Sequence, residues 1–234
     1  MEPPTWLTDF CVNDMLGMLP RPPSERKLRL VCCASVRRFG DHLAEFEISR
    51  RAIEMAESLA DGECDPRDAA LTETDAERAA RAIDEPKRRR VPSAAHLCLR
   101  PMNIGRASFV LGFCADSVYR GNPWSTGTYN SEGSDKLHAE RLAQTRLLRD
   151  VFRNPEAANA VDWEGRSETL LALAAVAYQQ RLLPSGHIDP VILAVLADAV
   201  EECGCPDQEI AEHLRTAGPH VRGCWALDLV LGKS

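Results

Sequence analysis

The sequence has few aromatic residues and no apolar run long enough to cross a membrane. Aromatics make up 6% of the chain. The longest apolar stretch, 170–178, is far shorter than the roughly 20 residues of a transmembrane helix. The residues after Met1 also lack the basic region and apolar core of an export signal. We therefore expect a cytoplasmic protein with no membrane partner.

Sequence motifs for nucleotide binding and for the standard zinc fingers are also missing. Segment 121–127 contains glycines but lacks the lysine of a phosphate-binding loop, and no strand is predicted before it. The nine cysteines include no Cys-x-x-Cys pair, and their odd number is typical of reduced thiols inside the cell. The formal net charge of −7 disfavours long-range attraction to nucleic acid.

The remaining composition is typical of a helical globular protein. Hydrophobic residues make up 44% of the chain and charged residues 27%, and Ala, Leu, Arg and Glu are plentiful. Apolar residues recur every three or four positions in stretches separated by Pro, Gly and helix-capping residues. The sequence predicts an all-α fold, a compact array of about eight or nine short helices.

The N-terminal half shows these helix signals clearly. Ser24 and Asp65 are predicted N-caps, and Asp65 is followed by Pro at the first helical position. The spacing of apolar residues predicts one helix over 28–46. Arg29 and Arg37 lie mostly off the apolar stripe of this helix.

The division of the chain is predicted from the same punctuation. Residues 1–92 are expected to form an N-terminal helical half and residues 136–234 a C-terminal helical half, which can also pack as one domain. Residues 93–135 are expected to be a variable connector with short helices. The Gly, Asn, Pro, Ser and Thr residues near its end indicate a loop.

The basic run Lys87–Arg90 stands out in an acidic chain. It lies between Pro86 and Pro92, so it is predicted to be an exposed linker rather than a helix face. The alternative is a weak, non-specific contact with nucleic acid, which the sequence favours less.

The densest group of metal-ligand residue types lies near the C-terminus. Cys205, His213, His220 and Cys224 flank successive predicted helix ends, where short turns can bring them together. Thiolates and imidazoles are the donors that Zn²⁺ prefers, so these four residues form a hypothetical zinc site. In the alternative interpretation the cysteines are small core residues and His213 stabilises a helix C-terminus.

Two further hypotheses concern the same block. His220 and Cys224, with Asp228 one turn on, have the residue types of a thiol nucleophile and its base. Trp225 is either a core residue or an interface anchor, and Arg222 beside it is a candidate interaction residue.

Several segments together suggest a family. They are Glu25–Leu30 with Ser49–Glu54, Leu147–Pro155, and the block that runs from Leu196–Glu201 through His220–Asp228. With these segments the chain resembles a family of proteins of unassigned activity that is abundant in planctomycete genomes. The resemblance implies no activity, cofactor or catalytic residue. It places the Cys/His group inside the most recognisable block of the family.

The sequence therefore favours a non-catalytic helical protein-interaction module, an accessory or adaptor subunit of a bacterial assembly whose partner is another protein. One alternative is a metal- or thiol-dependent hydrolase that uses the C-terminal Cys/His group. A weaker alternative is a protein associated with nucleic acid through its basic run.

Overall fold

The computed structural model describes residues 6–7, 11–118, 131–157, 163 and 165–233, with only the backbone for 131–133. These residues are mostly helical, which confirms the predicted all-α fold. The helices are α1 Val12–Met18, α2 Glu25–Arg37, α3 Gly40–Ala44, α4 Glu47–Ala60, α5 Pro66–Arg81, α6 Pro86–Leu97, α7 Ile104–Val118, α8 Ser131–Val151, α9 Glu168–Gln179, α10 Pro190–Glu202, α11 Gln208–Arg215 and α12 Trp225–Leu231. Two antiparallel strands, β1 Arg181–Leu182 and β2 His187–Ile188, join α9 to α10. In the described part of the chain, the helices are all too short or too polar to cross a membrane.

The helix count is higher than predicted, with twelve among the described residues. One reason is that the single helix predicted over 28–46 is split into α2 and α3. Phe39 breaks it, because its backbone φ of −99° and ψ of 39° are not helical. A break of this kind leaves the apolar spacing almost unchanged, so periodicity alone does not reveal it.

The predicted N-caps are confirmed. The side chain of Ser24 accepts a hydrogen bond from the backbone N–H of Lys27 at 3.3 Å. Asp65 accepts one from the N–H of Arg67 at 2.8 Å, with Pro66 at the first helical position. These side chains satisfy N–H groups that have no partner inside the helix.

The chain forms two compact units, Met1–Thr145 and Arg146–Ser234, and the boundary falls within α8. We call them the first and the second unit. Residues 93–118, predicted to belong to a connector, lie in the first unit, where they form the end of α6, a short link over 98–103 and all of α7. The loop predicted over 121–130 lies outside the described residues.

Helix α2 is the centre of the first unit. Every residue from Leu28 to Arg37 is buried, and α2 packs against α4, α6 and α7. Arg29 and Arg37 are therefore buried, although they lie off the apolar stripe. Arg29 donates to the backbone oxygens of Cys98 and Arg100, and Arg37 makes a two-pronged ion pair with Glu57 at 2.6 and 2.9 Å.

The linker prediction for Lys87–Arg90 is wrong, because these residues are in α6. Pro86 occupies the first helical position, where a missing N–H costs nothing. Pro92 lies in the helix interior and removes one backbone hydrogen bond. It is buried with Val91 and two alanines against neighbouring helices, and this apolar contact offsets the loss.

The second unit is built from α9 to α12 and the hairpin. Helix α10 packs against α9 and α11, and α12 packs against the same two helices. The core includes the fully buried side chains of Tyr178, Leu193, Leu196 and Leu227, together with Trp225. This core holds the C-terminal end of α11 close to the N-terminal end of α12.

The buried ion pair of the first unit leads to the first prediction. Glu57→Gln leaves the Arg37 guanidinium buried without its carboxylate, which should lower the free energy of unfolding by about 3–5 kcal/mol. Asp75→Asn removes one partner of an exposed pair with Arg78 and should cost about 0–1 kcal/mol. Urea denaturation followed by circular dichroism measures both. Equal midpoints for the two variants would contradict the prediction.

Candidate metal centre

Four side chains with metal-ligand atoms meet in the second unit. Asp150 is the penultimate residue of α8, His213 lies in the last turn of α11, His220 precedes α12, and Cys224 is the N-cap of α12. One ligand atom from each lies within 4.8 Å of the others. We call this group the Asp-His-His-Cys cluster.

Backbone contacts fix the loop that carries His220. The N–H of Ile188 donates to the carbonyl oxygen of His220 at 2.8 Å, and His187 forms a β-bridge with Val221. A tight turn follows, in which the N–H of Cys224 donates to the carbonyl oxygen of Val221 at 2.9 Å. The hairpin thus holds His220 at a defined distance from the start of α12.

The carboxylate of Asp150 is at the centre of the cluster. Its Oδ1 lies 2.8 Å from His220 Nδ1 and 3.1 Å from His213 Nε2, and its Oδ2 accepts from the N–H of Val221 at 2.9 Å. Burial by itself raises the pKa of Asp150, but hydrogen bonds from His213 and His220 and their charge outweigh it and lower the pKa. The carboxyl group is therefore ionised, although it is buried.

Both ring nitrogens of His220 face acceptors. Nδ1 faces Asp150, and Nε2 lies 3.1 Å from the carbonyl oxygen of Thr216 and 3.4 Å from its hydroxyl oxygen. Burial acts to lower the pKa of His220, but the hydrogen bond and the charge of Asp150 raise it above the ordinary value. A carbonyl oxygen can only accept, so Nε2 carries a proton.

The geometry disfavours Cys224 as a nucleophile. Its Sγ is completely buried and lies 3.8 Å from His220 Nδ1, the nitrogen that already faces Asp150. Burial and the charge of Asp150 raise the pKa of the thiol well above its ordinary value. A thiol nucleophile needs an accessible sulfur of lowered pKa, with its base oriented from the opposite ring nitrogen. The carboxylate that contacts His220 is also Asp150, not the predicted Asp228.

The structure brings together three of the four predicted zinc ligands. Cys205 is not in the cluster, because its Sγ points to the start of α11, 3.6 Å from the carbonyl oxygen of Asp207. Asp150 takes its place, and sequence reasoning missed it since it lies 63 residues before His213. One signal was available, because Asp150 is flanked by the apolar pairs 147–148 and 151–152. Arg149 stands directly before Asp150, so this pattern by itself does not distinguish a buried carboxylate from an exposed one.

Arg222 and Trp225, the predicted interaction residues, are both buried at 6% exposure. The Trp225 ring lies 4.8 Å from the His213 ring, and the guanidinium of Arg153 lies 5.0 Å from it on the ring face. Arg222 lies over the ring of Tyr178 in the same way. Of the two interpretations of Trp225, the structure favours the core. Neither residue is exposed to meet a partner.

A second acidic group with one histidine lies in the first unit. Glu73, Glu77 and His96 approach one another, but Arg100 donates to both carboxylates at 2.9 and 3.1 Å. Burial and the charge of Arg100 lower the pKa of His96. Since the guanidinium already compensates the carboxylates, this group suits a cation less than the Asp-His-His-Cys cluster does.

Comparisons with protein-family models, with curated proteins and with solved structures find no match to this chain. The resemblance to the planctomycete family therefore stays a prediction. Function has to be inferred from the chemistry and exposure of the residues themselves, because a fold class alone does not determine it.

Trp225 allows a direct test of packing around the cluster. Trp225→Ala removes the largest side chain beside His213, so we expect the free energy of unfolding to fall by about 3–5 kcal/mol. Leu183→Ala, at a residue that is 66% exposed, should change it by less than about 0.5 kcal/mol. Far-ultraviolet circular dichroism during urea denaturation measures both variants. A Trp225→Ala chain as stable as the parent would show that Trp225 is not a core residue.

Proposed function

We propose that this protein is a non-catalytic helical interaction module, an accessory or adaptor subunit of a bacterial assembly, and that its second unit binds a protein partner. The observation that carries this proposal is the composition of α9. After Glu168 this helix contains no charged residue over its remaining turns. A helix that is apolar on all sides is normally covered on all sides.

Within the described residues of the second unit, other elements cover one face of α9. Leu170, Ala174, Ala177 and Tyr178 face the core of the second unit. The opposite face exposes apolar side chains, which are Leu171, Ala172, Ala175 and Val176. Apolar side chains grouped on one exposed helix face are typical of a site where another protein packs.

The exposed apolar residues continue beyond α9. Leu182 and Leu183 are exposed in the hairpin, and Val191 and Val195 on the first half of α10. Further along the same helix the exposed residues become acidic, and Asp198 and Glu201 pair with Arg215. Large exposed hydrophobic residues of the second unit are thus concentrated over 171–195, next to charged residues of the kind found at the rim of an interface.

The geometry of the Asp-His-His-Cys cluster supports a non-catalytic role over the hydrolase alternative. Catalytic zinc sites keep one coordination position open to water or substrate, whereas structural sites have four protein ligands. Here four protein donors converge, and Asp150, His220 and Cys224 are all buried. A metal held by all four would have no free position for a substrate.

The nucleic-acid alternative depends on the basic run in α6. Arg88 pairs with Glu45 at 2.7 Å and lies over the ring of Phe46, and Arg90 donates to the carbonyl oxygen of Asp116. These two guanidinium groups serve contacts within the first unit. Their use inside the protein favours a structural role for this part of the run.

The proposal is tested by charging the exposed apolar face. Val176→Asp combined with Val191→Asp should abolish capture of a specific protein from the native cells, because a partner would have to bury two carboxylates. Capture is measured with an affinity-tagged full chain, quantifying bound proteins by mass spectrometry. Leu71→Asp is the matched control, because Leu71 is 67% exposed but lies on α5 in the first unit.

We expect Leu71→Asp to retain the partner that the double variant loses. Both variants should keep the circular dichroism spectrum of the parent, since the substituted side chains are exposed. Recovery of the parent as a monomer without partner under gentle conditions would contradict the proposal. So would the capture of the same proteins by the parent and the double variant.

A further inference from the structure

We propose that Asp150, His213, His220 and Cys224 bind one zinc ion, which serves as the structural centre of the second unit. This proposal is independent of the interaction function, because it concerns the interior of the unit rather than its exposed face. The proposal makes the Asp-His-His-Cys cluster a metal site, in which Asp150 is the fourth ligand in place of Cys205.

The donor atoms lie close enough together to surround one zinc ion, although two of their separations are shorter than in a tetrahedral zinc site. Asp150 Oδ1 is 2.8 Å from His220 Nδ1 and 3.1 Å from His213 Nε2, and His220 Nδ1 is 3.8 Å from Cys224 Sγ. Zinc bonds of about 2.0–2.3 Å at tetrahedral angles place neighbouring donors about 3.3–3.8 Å apart. Small outward shifts of the side chains would therefore open the space that the ion needs.

Hydrogen bonds outside the cluster orient the donors toward its centre. The Nε2–H of His220 faces the carbonyl oxygen of Thr216 at 3.1 Å, so the Nδ1 lone pair is available inside the cluster. The Oδ2 of Asp150 accepts from the N–H of Val221 at 2.9 Å, which leaves Oδ1 as the ligand atom. A ligating histidine that donates its other N–H to a backbone carbonyl is typical of metal sites.

Charge balance also favours a divalent cation. With zinc bound, the Asp150 carboxylate and the Cys224 thiolate offset the two positive charges, and His213 and His220 contribute neutral imidazoles. The buried group is then neutral as a whole, which avoids the desolvation penalty of an isolated charge. Without a metal, the His220 ring needs a proton on Nδ1 as well as on Nε2 in order to donate to Asp150. The cluster is then a buried imidazolium–carboxylate network.

The donor types select zinc over the hard cations. Calcium and magnesium prefer oxygen ligands, whereas this cluster offers one thiolate, two imidazoles and one carboxylate. Zinc accepts all three donor types and is commonly tetrahedral in closed structural sites. The burial of three of the four donors is typical of such a site.

The first experiment measures the metal directly. The full chain, purified without chelator, should contain one zinc ion per chain by elemental analysis. Replacement by Co²⁺ should give a thiolate-to-cobalt charge-transfer band in the near ultraviolet, together with the strong visible absorption of four-coordinate cobalt. A chain that contains no zinc and binds no stoichiometric Co²⁺ would overturn the proposal.

Substitutions then assign the ligands. His213→Gln changes the most exposed donor, at 18% side-chain exposure. It should weaken zinc binding by more than the roughly 10–100-fold that loss of an outer-shell partner costs. Cys224→Ser should abolish the charge-transfer band. Cys205→Ser is the matched control, because it removes a thiol of the same block outside the cluster, and it should retain zinc and the band. Loss of zinc from Cys205→Ser alone would overturn the assignment.

A structural readout keeps the test valid if a variant does not fold. In ¹⁵N-correlated spectra of the parent chain, zinc binding predicts that His220 Nδ1 carries no proton while Nε2 does. Protons on both nitrogens would indicate the imidazolium network and overturn the proposal. The Val176→Asp/Val191→Asp chain should still bind one zinc ion, so failure of the interaction and failure of the metal site are distinguishable.

Chelation provides the matching stability measurement. Because the donors come from α8, α11 and the start of α12, zinc binding contributes to the folding free energy of the second unit. Removal of zinc by a strong chelator should lower the melting temperature of the parent, and addition of zinc should restore it. A melting temperature that does not respond to a chelator that removes the zinc would overturn the structural role.

Discussion

The buried carboxylate of Asp150 is the group on which the arrangement of the second unit depends. It accepts from His213 on α11 and from the His220 side chain and Val221 N–H before α12, so one side chain connects three parts of the chain. A charge taken out of water costs several kcal/mol unless it is paired and fully hydrogen-bonded. The positions of His213 and His220 are therefore strongly constrained by Asp150.

The same constraint explains why the cluster is closed. The donors come from α8, α11 and the start of α12, and the hairpin fixes the loop between the last two by backbone hydrogen bonds. Trp225 covers His213, so the polar group lies beside the apolar core. In this environment the proposed zinc ion would stabilise the unit by neutralising its donors. Small units with limited cores often depend on such centres.

The exposed surface of α9 in the second unit is mostly apolar, in contrast to the buried polar cluster. Leu171 and Val176 on α9 present apolar side chains to solvent, although the inner face of the same helix already supplies core residues. Apolar surface that stays exposed contributes no burial free energy to folding, and a partner that covered it would supply that burial. The interior chemistry and the surface chemistry thus concern different residues, so the proposed zinc site and the proposed partner site can be altered separately.

Local sequence patterns were enough to predict the helical fold class, the caps at Ser24 and Asp65, and three of the four members of the Asp-His-His-Cys cluster. These follow from local spacing and from residue chemistry within short segments, which do not depend on distant contacts. The meeting of Asp150, rather than Cys205, with His213, His220 and Cys224 became visible only in the folded chain. The tertiary structure also decided that Arg37 and Trp225 are buried and that residues 87–90 belong to a helix. Burial and pairing arise between residues far apart in the chain, where apolar contacts and compensated charges outweigh local preference.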